Sequence, residues 1–160
     1  MDQDYVDINV PSSESMQAVP FETTLHIRDH CLCLHTQRAA RRLARRFDEA
    51  LRPFGLTHGQ FSMMNGLNRP APPLMRDVAT LLAMDRTTLT AALKPLERRG
   101  FVMISQDPAD RRGRRVALTP AGMAALASAV PTWRAVHKEI EAGLPPSGPE
   151  SLRRDLAALR

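Results

Sequence analysis

The segment from Phe101 to Leu118 constrains this chain more than any other. Phe101-Val102-Met103-Ile104-Ser105-Gln106 is β-branched and aromatic, and Arg115-Val116-Ala117-Leu118 alternates polar and apolar. Between them lies a turn-rich stretch, Asp107-Pro108-Ala109-Asp110-Arg111-Arg112-Gly113-Arg114. Two short strands joined by such a loop predict a β-hairpin. A lone two-stranded hairpin is marginal in water and needs a helical surface to lie on. Helical period flanks it on both sides, so the expected class is mainly α with one small hairpin.

From Thr24 the spacing of Leu25, Leu32, Ala39, Leu43, Phe47, Ala50 and Phe54 predicts one long helix, ended by Pro53 and Gly55. Such a helix usually finds its cover on a second subunit. Thr57-x-x-Gln60 reads as a capping box opening a short helix that buries Phe61, Met64 and Leu67. A further helix is expected over Leu74–Leu82. After Ala83-Met84, Asp85 is a good N-cap for a helix over Arg86–Arg99, with Leu89, Leu93 and Leu96 as its core stripe and Gly100 just past its end. Beyond the hairpin, Thr119-Pro120 restarts a helix, N-cap then Pro at the first turn. Pro131 inside it is expected to kink it. Ser147-Gly148-Pro149-Glu150 opens a last helix over Glu150–Arg160.

The charges are unevenly placed. Residues 1–25 hold Asp2, Asp4, Asp7, Glu14 and Glu22 and no base, while all 22 Lys and Arg lie beyond them, only Lys94 and Lys138 being lysine. An arginine-rich body suits a phosphate-bearing partner, although a high-GC genome bias produces the same composition. There is no long uncharged apolar run, so no membrane span and no membrane partner are expected. The first residues lack the basic and apolar regions of a signal peptide, so a cytoplasmic address is expected. Two cysteines, two residues apart, cannot make a disulfide framework. No Gly-rich phosphate loop, metal-hydrolase motif or G-x-S-x-G occurs, so neither a cofactor nor an enzyme is expected.

The element order is that of a winged helix-turn-helix plus a helical dimerisation region. The expected organisation is a flexible acidic tail (1–20), an N-terminal dimerisation helix (21–54), a DNA-binding domain (55–119) and C-terminal dimerisation helices (120–160). The helix opening at Asp85 would be the reader. Arg86, Thr87, Thr88 and Thr90 occupy its first turn and a half, where Arg can fork to guanine and Thr can meet phosphates or thymine methyls. Lys94, Arg98 and Arg99 follow, where the helix dipole also favours cations. In the hairpin loop, Arg111, Arg112, Arg114 and Arg115 crowd around Gly113, a pattern suited to a narrow minor groove.

Three stretches carry a family resemblance. Asp110-Arg-Arg112 followed by a strand and Leu118-Thr119-x-x-Gly122 is similar to the wing signature of MarR-type transcriptional regulators. Leu93-x-x-Leu96-Glu97-x-x-Gly100-Phe101-Val102 resembles that family's passage from reading helix to wing. Gly55-Leu56-Thr57-x-x-Gln60-Phe61 resembles its helix entry. The resemblance implies a homodimer reading a near-palindromic site on double-stranded DNA, often a repressor released by a small-molecule or oxidant effector. It also implies that Asp110 pairs with Arg112 to brace the wing, and that Arg112 reaches the minor groove with Arg114 as a second contact. Pro95, inside the reading helix, departs from the pattern and is expected to bend it. Two rival readings remain, a winged-helix protein-interaction adaptor and a small thiol-dependent redox protein using Cys31 or Cys33.

The candidate sensor is His30-Cys31-Leu32-Cys33-Leu34-His35. On a continuous helix His26, His30 and Cys33 share one stripe while Cys31 and His35 share another, so the helix alone gathers no complete metal site, and His26, His30 and Cys33 could form only part of a zinc or copper site completed by another helix or subunit. Cys31 and Cys33 would point about 200° apart, and a disulfide between them would require unwinding.

Overall fold

The computed structural model describes residues 18–145 and 148–159. Most of the acidic tail, together with Pro146, Ser147 and Arg160, lies outside the described residues. By its contacts the chain divides into two units, Met1–Ala39 and Ala40–Arg160.

In the first unit α1 spans Phe21–His30 and buries none of its residues. The helix α2, Leu32–Leu51, starts after a break. The single long helix expected from the period is therefore divided at Cys31, which has left helical geometry at φ −72°, ψ 104°. Side chains cap the break on both sides. Cys31 Sγ accepts the Leu34 N–H at 3.4 Å, and His35 Nε2 lies 3.2 Å from the Asp29 carbonyl oxygen. An apolar period counts burial, and it does not see a local cap that satisfies the orphan groups of two abutting helix ends.

In the second unit α2 ends in a 3-10 turn, Arg52–Phe54, closed by Gly55 at φ 64°. The helices α3 (His58–Leu67), α4 (Met75–Leu81) and α5 (Arg86–Arg98) follow. Strands β1 (Val102–Gln106) and β2 (Arg114–Leu118) pair antiparallel, Ile104 opposite Val116. Then come α6 (Pro120–Ala142) and α7 (Gly148–Ala157). The Thr57–Gln60 capping box forms in both directions, and Thr119 accepts the Gly122 N–H as the N-cap of α6. The last helix opens at Gly148, two residues earlier than the sequence suggests. Both α5 and α6 run on through their internal prolines, Pro95 and Pro131.

The core is made by one face each of α2, α3, α4, α5 and α6. Leu51, Met64, Leu89, Leu93, Leu96 and Val116 are fully buried in it, with Phe61, Leu67, Val78, Val102 and Leu126 around them. The hairpin is tied to the loop before α4 and closed at its base. Val116 N–H donates to the Pro73 carbonyl at 3.1 Å, and Thr119 N–H donates to the Phe101 carbonyl at 3.0 Å. The second tie leaves no room on α6: a methyl on Gly122 would sit 2.0 Å from the Phe101 carbonyl oxygen. We expect Gly122→Ala to push α6 off the hairpin base and to destabilise the fold by about 1–3 kcal/mol. Urea unfolding followed by circular dichroism would measure this, and an unchanged midpoint would show that the close approach carries no weight.

Candidate nucleic-acid interface

The geometry of α5 starts from its cap. Ala83 takes the left-handed conformation, φ 50°, and turns the chain sharply between α4 and α5. Asp85 then accepts the Thr88 N–H at 2.9 Å and the Thr88 hydroxyl at 2.5 Å. The Thr88 hydroxyl, and after it the Thr88 N–H, holds the Asp85 carboxyl below the usual carboxylate range. Thr90 donates its hydroxyl to the Arg86 carbonyl at 2.7 Å. Two of the three threonines singled out for base reading thus direct their hydroxyl hydrogens into the helix itself. Arg86 and Thr87 stand exposed, and among the described residues the Arg86 guanidinium makes no ion pair.

The wing is braced by Asp107. This carboxylate is buried, its Oδ1 accepting Arg115 Nε at 3.0 Å and the Ala109 N–H at 3.2 Å. Arg115 reaches on to the Pro72 carbonyl at 2.7 Å, so one guanidinium fastens the hairpin to the loop before α4. The Asp107 N–H donates to the Gly113 carbonyl, and Gly113 packs so tightly that an added methyl would lie 2.9 Å from Asp107 Cβ. Asp110 has a smaller part, since its Oδ1 accepts the backbone N–H of Arg112 at 2.9 Å. Among the described residues the Arg112 guanidinium has no salt bridge to Asp110 or to any other carboxylate. Arg114 folds back on the turn, donating to the carbonyls of Arg111 at 3.0 Å and Gly113 at 3.1 Å. Arg111 and Arg112 remain exposed.

These pieces meet in one cleft of about 230 Å³. Arg86 from the start of α5, Arg76 from α4, and Arg112 and Arg114 from the wing all line it, with Asp107 and Asp110 in its wall. Four guanidinium groups around an open cleft make a site for a polyanion. The other cations sort differently. Arg99 donates to the Gly55 carbonyl at 2.6 Å and lies 4.3 Å from the Phe101 ring centroid, so it holds the end of α5 to the turn that follows α2. Lys94 and Arg98 are exposed.

The sensor residues lie in the first unit. Cys31 is half-buried and Cys33 exposed, both as free thiols. Cys33 Sγ accepts Gln37 Nε2 at 3.2 Å. His30 stacks on His26 with centroids 4.2 Å apart and lies 2.9 Å from the His26 carbonyl through Nδ1, a local contact along its own helix. Elsewhere, an apolar cavity of about 430 Å³ opens between α2, α6 and α7. Trp133 lines it, stacked with His137 at 4.6 Å and with Phe47 at 6.3 Å. His58, Glu141 and Arg153 supply its polar groups, the last two paired at 2.6 Å.

Comparison with known proteins decides which of the readings applies. The MarR family model matches residues 56–113, from the start of α3 to the wing tip. The DNA complex of the transcriptional regulator MosR from M. tuberculosis superposes with a TM-score of 0.74 at 40% identity, over 81% of this chain and 92% of that one. The chain belongs to the MarR family. Within that family it is also similar to the transcriptional repressor NicR of Pseudomonas putida, 29% identical over 80% of this chain and 78% of NicR. The HTH-type regulator YwoH of Bacillus subtilis is 33% identical over 51% of this chain, and the match spans 58% of YwoH's length. The winged helix-turn-helix fold is that of the family, and these relatives are transcriptional regulators, not enzymes.

Two residues of this MarR-family site escaped the sequence reading. Arg76 sits in the first turn of α4 and lines the cleft. Its position one turn into the first helix of a helix-turn-helix was the available sign. Asp107 was placed in the turn-rich loop with no role assigned, and only its burial beside Arg115 reveals the brace. Arg115, then the Ala109 N–H, holds the Asp107 carboxyl below its ordinary value. A carboxyl depressed on folding stabilises the folded wing above its unfolded value near 3.9, and that stabilisation is lost as pH falls through the folded value. The brace is therefore intact at neutral pH and released only in strong acid. We expect Asp107→Asn to raise amide hydrogen exchange at Gly113 and Arg115 at pH 7 while leaving α3 and α5 protected. Unaltered exchange in the hairpin would mean that the strand pairing alone holds the wing.

Proposed function

We propose that this MarR-family regulator acts as a homodimeric, sequence-specific DNA-binding repressor that an effector releases. The observation that carries the DNA reading is the shared cleft, in which Arg86 of α5 and Arg112 and Arg114 of the wing converge. Arg86 and Thr87 are the groups available to base edges of the major groove, and Thr88, Thr90 and Lys94 supply methyl or phosphate contacts. Arg111 and Arg112 project from the wing toward the adjacent minor groove, with Asp110 fixing the backbone of Arg112. A free guanidinium on a braced loop suits a phosphate-lined groove better than it suits the variable surface of an adaptor's partner protein.

The homodimer reading rests on uncovered apolar surface. No residue of α7 is buried, and Leu152, Leu156, Leu159 and Leu43 are all exposed. A short helix with no buried face is not stable in water by itself, and a second copy offers the same face in return. A two-fold dimer would present two wings to a near-palindromic operator. The cavity around Trp133 lies within the usual size range of small-molecule sites and is mostly apolar with a few polar groups. It would take a planar aromatic effector stacked on the indole and held by His58, His137 or Arg153. A cytoplasmic address follows from this work on DNA.

Fluorescence anisotropy on the duplex upstream of its own gene, beside a scrambled duplex, tests the reading. Specific binding at least about a thousandfold tighter, falling steeply with salt, is the expected result. Weak and equal binding to both duplexes would count against a specific regulator. Arg112→Ala should cost about 1–3 kcal/mol of operator affinity and lower the salt slope by about one, without loss of fold. Arg99→Ala should instead lower thermal stability and leave the salt slope unchanged. Light scattering should give twice the chain mass, and a monomer at micromolar concentration would remove the dimer.

A further inference from the structure

The cleft between α4, the start of α5 and the wing gathers more positive charge than a DNA strand can match. Arg76, Arg86, Arg112 and Arg114 all line its volume of about 230 Å³. A duplex strand carries one charge per ~3.4 Å of helix axis, fixed on a stiff backbone. Only about one or two of its phosphates enter so small a space, against four guanidinium groups. The excess favours an anion that packs several charges into a few ångströms.

Little within the walls cancels that charge. Asp107 is already paired with Arg115 at 3.0 Å, and Asp110 Oδ1 accepts the Arg112 N–H at 2.9 Å. Arg76 lies 3.7 Å from Asp77, an exposed pair that holds it weakly in water. Behind Arg115 and the Ala109 N–H, the charge of Arg76 also acts to lower the Asp107 carboxyl, so its field reaches the cleft wall. Arg114 holds its turn through Nη1, and its Nη2 has no partner among the described residues. The walls also assemble without DNA. Arg115 donates to the Pro72 carbonyl, Val116 N–H to the Pro73 carbonyl, and Leu74 bridges antiparallel to Arg115. The arginines of α4 and the wing therefore stand on elements already locked together, and binding has little ordering left to do. Leu74 and Met75 give the cleft an apolar side. Sites for drug-sized ligands run to about 300–1,000 Å³, so this one suits a smaller group.

We propose that this cleft is a binding site for a compact oligophosphate, a pyrophosphate unit either free or at the end of a nucleotide. The guanidinium groups supply paired N–H donors to its phosphoryl oxygens, the geometry in which arginine binds phosphate best. In a nucleotide, the apolar side at Leu74 and Met75 takes the ribose or the base. The consequence for DNA rests on the regulator reading above. Oligophosphate and operator claim the same guanidinium groups, so each weakens the binding of the other.

Calorimetric titration of the full-length protein at one fixed ionic strength compares inorganic pyrophosphate, ADP, AMP and orthophosphate. Pyrophosphate should saturate one site per chain and bind at least about tenfold tighter than orthophosphate, with AMP as weak as orthophosphate. ADP binding tighter than pyrophosphate would assign the cleft to a nucleotide, and ADP binding no tighter would assign it to the oligophosphate itself. Arg76 is exposed, so Arg76→Ala should fold and should weaken pyrophosphate by about tenfold. Arg42→Ala removes an equal charge from an exposed position on α2 and should leave the affinity unchanged. Absence of saturable binding, several ions bound per chain, AMP as tight as ADP, or equal losses in the two variants would each overturn the site. In the anisotropy assay, pyrophosphate should displace the operator at concentrations at which potassium chloride of the same ionic strength does not. A filled cleft with the operator still fully bound would overturn the competition. If the protein binds no DNA, the regulator reading fails separately, and the calorimetry still decides the site.

Discussion

The burial of Leu89, Leu93 and Leu96 decides the outward face of α5, and the site depends on that choice. Each of the three is fully buried. With a helical period of 3.6, fixing them at that depth leaves Arg86, Thr87 and Lys94 on the far side. The N-cap at Asp85 then sets where the helix starts, and with it how far Arg86 projects. The burial and cap that hold the helix in the fold also leave its Arg86–Thr87 face in solvent. Val102 and Val116 extend that core under the hairpin, so the wing and α5 rest on one packed body.

The arginines of this chain divide by what their guanidinium groups already hold. Arg115 is tied to Asp107 and Pro72, and Arg99 to Gly55 and Phe101. These are tertiary fasteners. Arg114 spends its hydrogen bonds on two carbonyls of its own turn. Arg86, Arg111 and Arg112 are exposed, and among the described residues none of their guanidinium groups is in an ion pair. A cation whose field is not cancelled by a nearby carboxylate attracts a polyanion most strongly. The buried Asp107 makes this division possible, because it neutralises one arginine at the hairpin base and leaves the tip uncompensated. In the sequence the four wing arginines look alike, and only their partners separate them.

The legible parts were those governed by neighbours along the chain. The capping box at Thr57, the N-caps at Asp85 and Thr119, and the left-handed Gly100 all depend on residues within four positions. The apolar stripes of α5 and the alternation in β2 are equally local. The break at Cys31 was missed because it arises from a competition. The apolar period favours continuation, while a sulfur cap and the His35 ring satisfy the groups a break exposes. Asp110 was expected as the brace because the family resemblance implied it, and in the sequence Asp107 stands near arginines just as Asp110 does. Burial, a property of the folded hairpin, separates them.

By itself the sequence determined the order of the elements from α3 onward, the polar face of α5 and the loop that carries the arginines. Those follow from side-chain period, caps and turn residues, all of which act over a few positions. The tertiary structure alone decided which arginines are fasteners and which are free, that Arg76 joins Arg86 and Arg112 around one cleft, and that Trp133 forms a wall of a cavity. Each of these is a relation between groups tens of residues apart. Packing sets such relations because a buried charge or an aromatic ring takes its partner from whatever the fold brings within a few ångströms, and no local pattern encodes that choice.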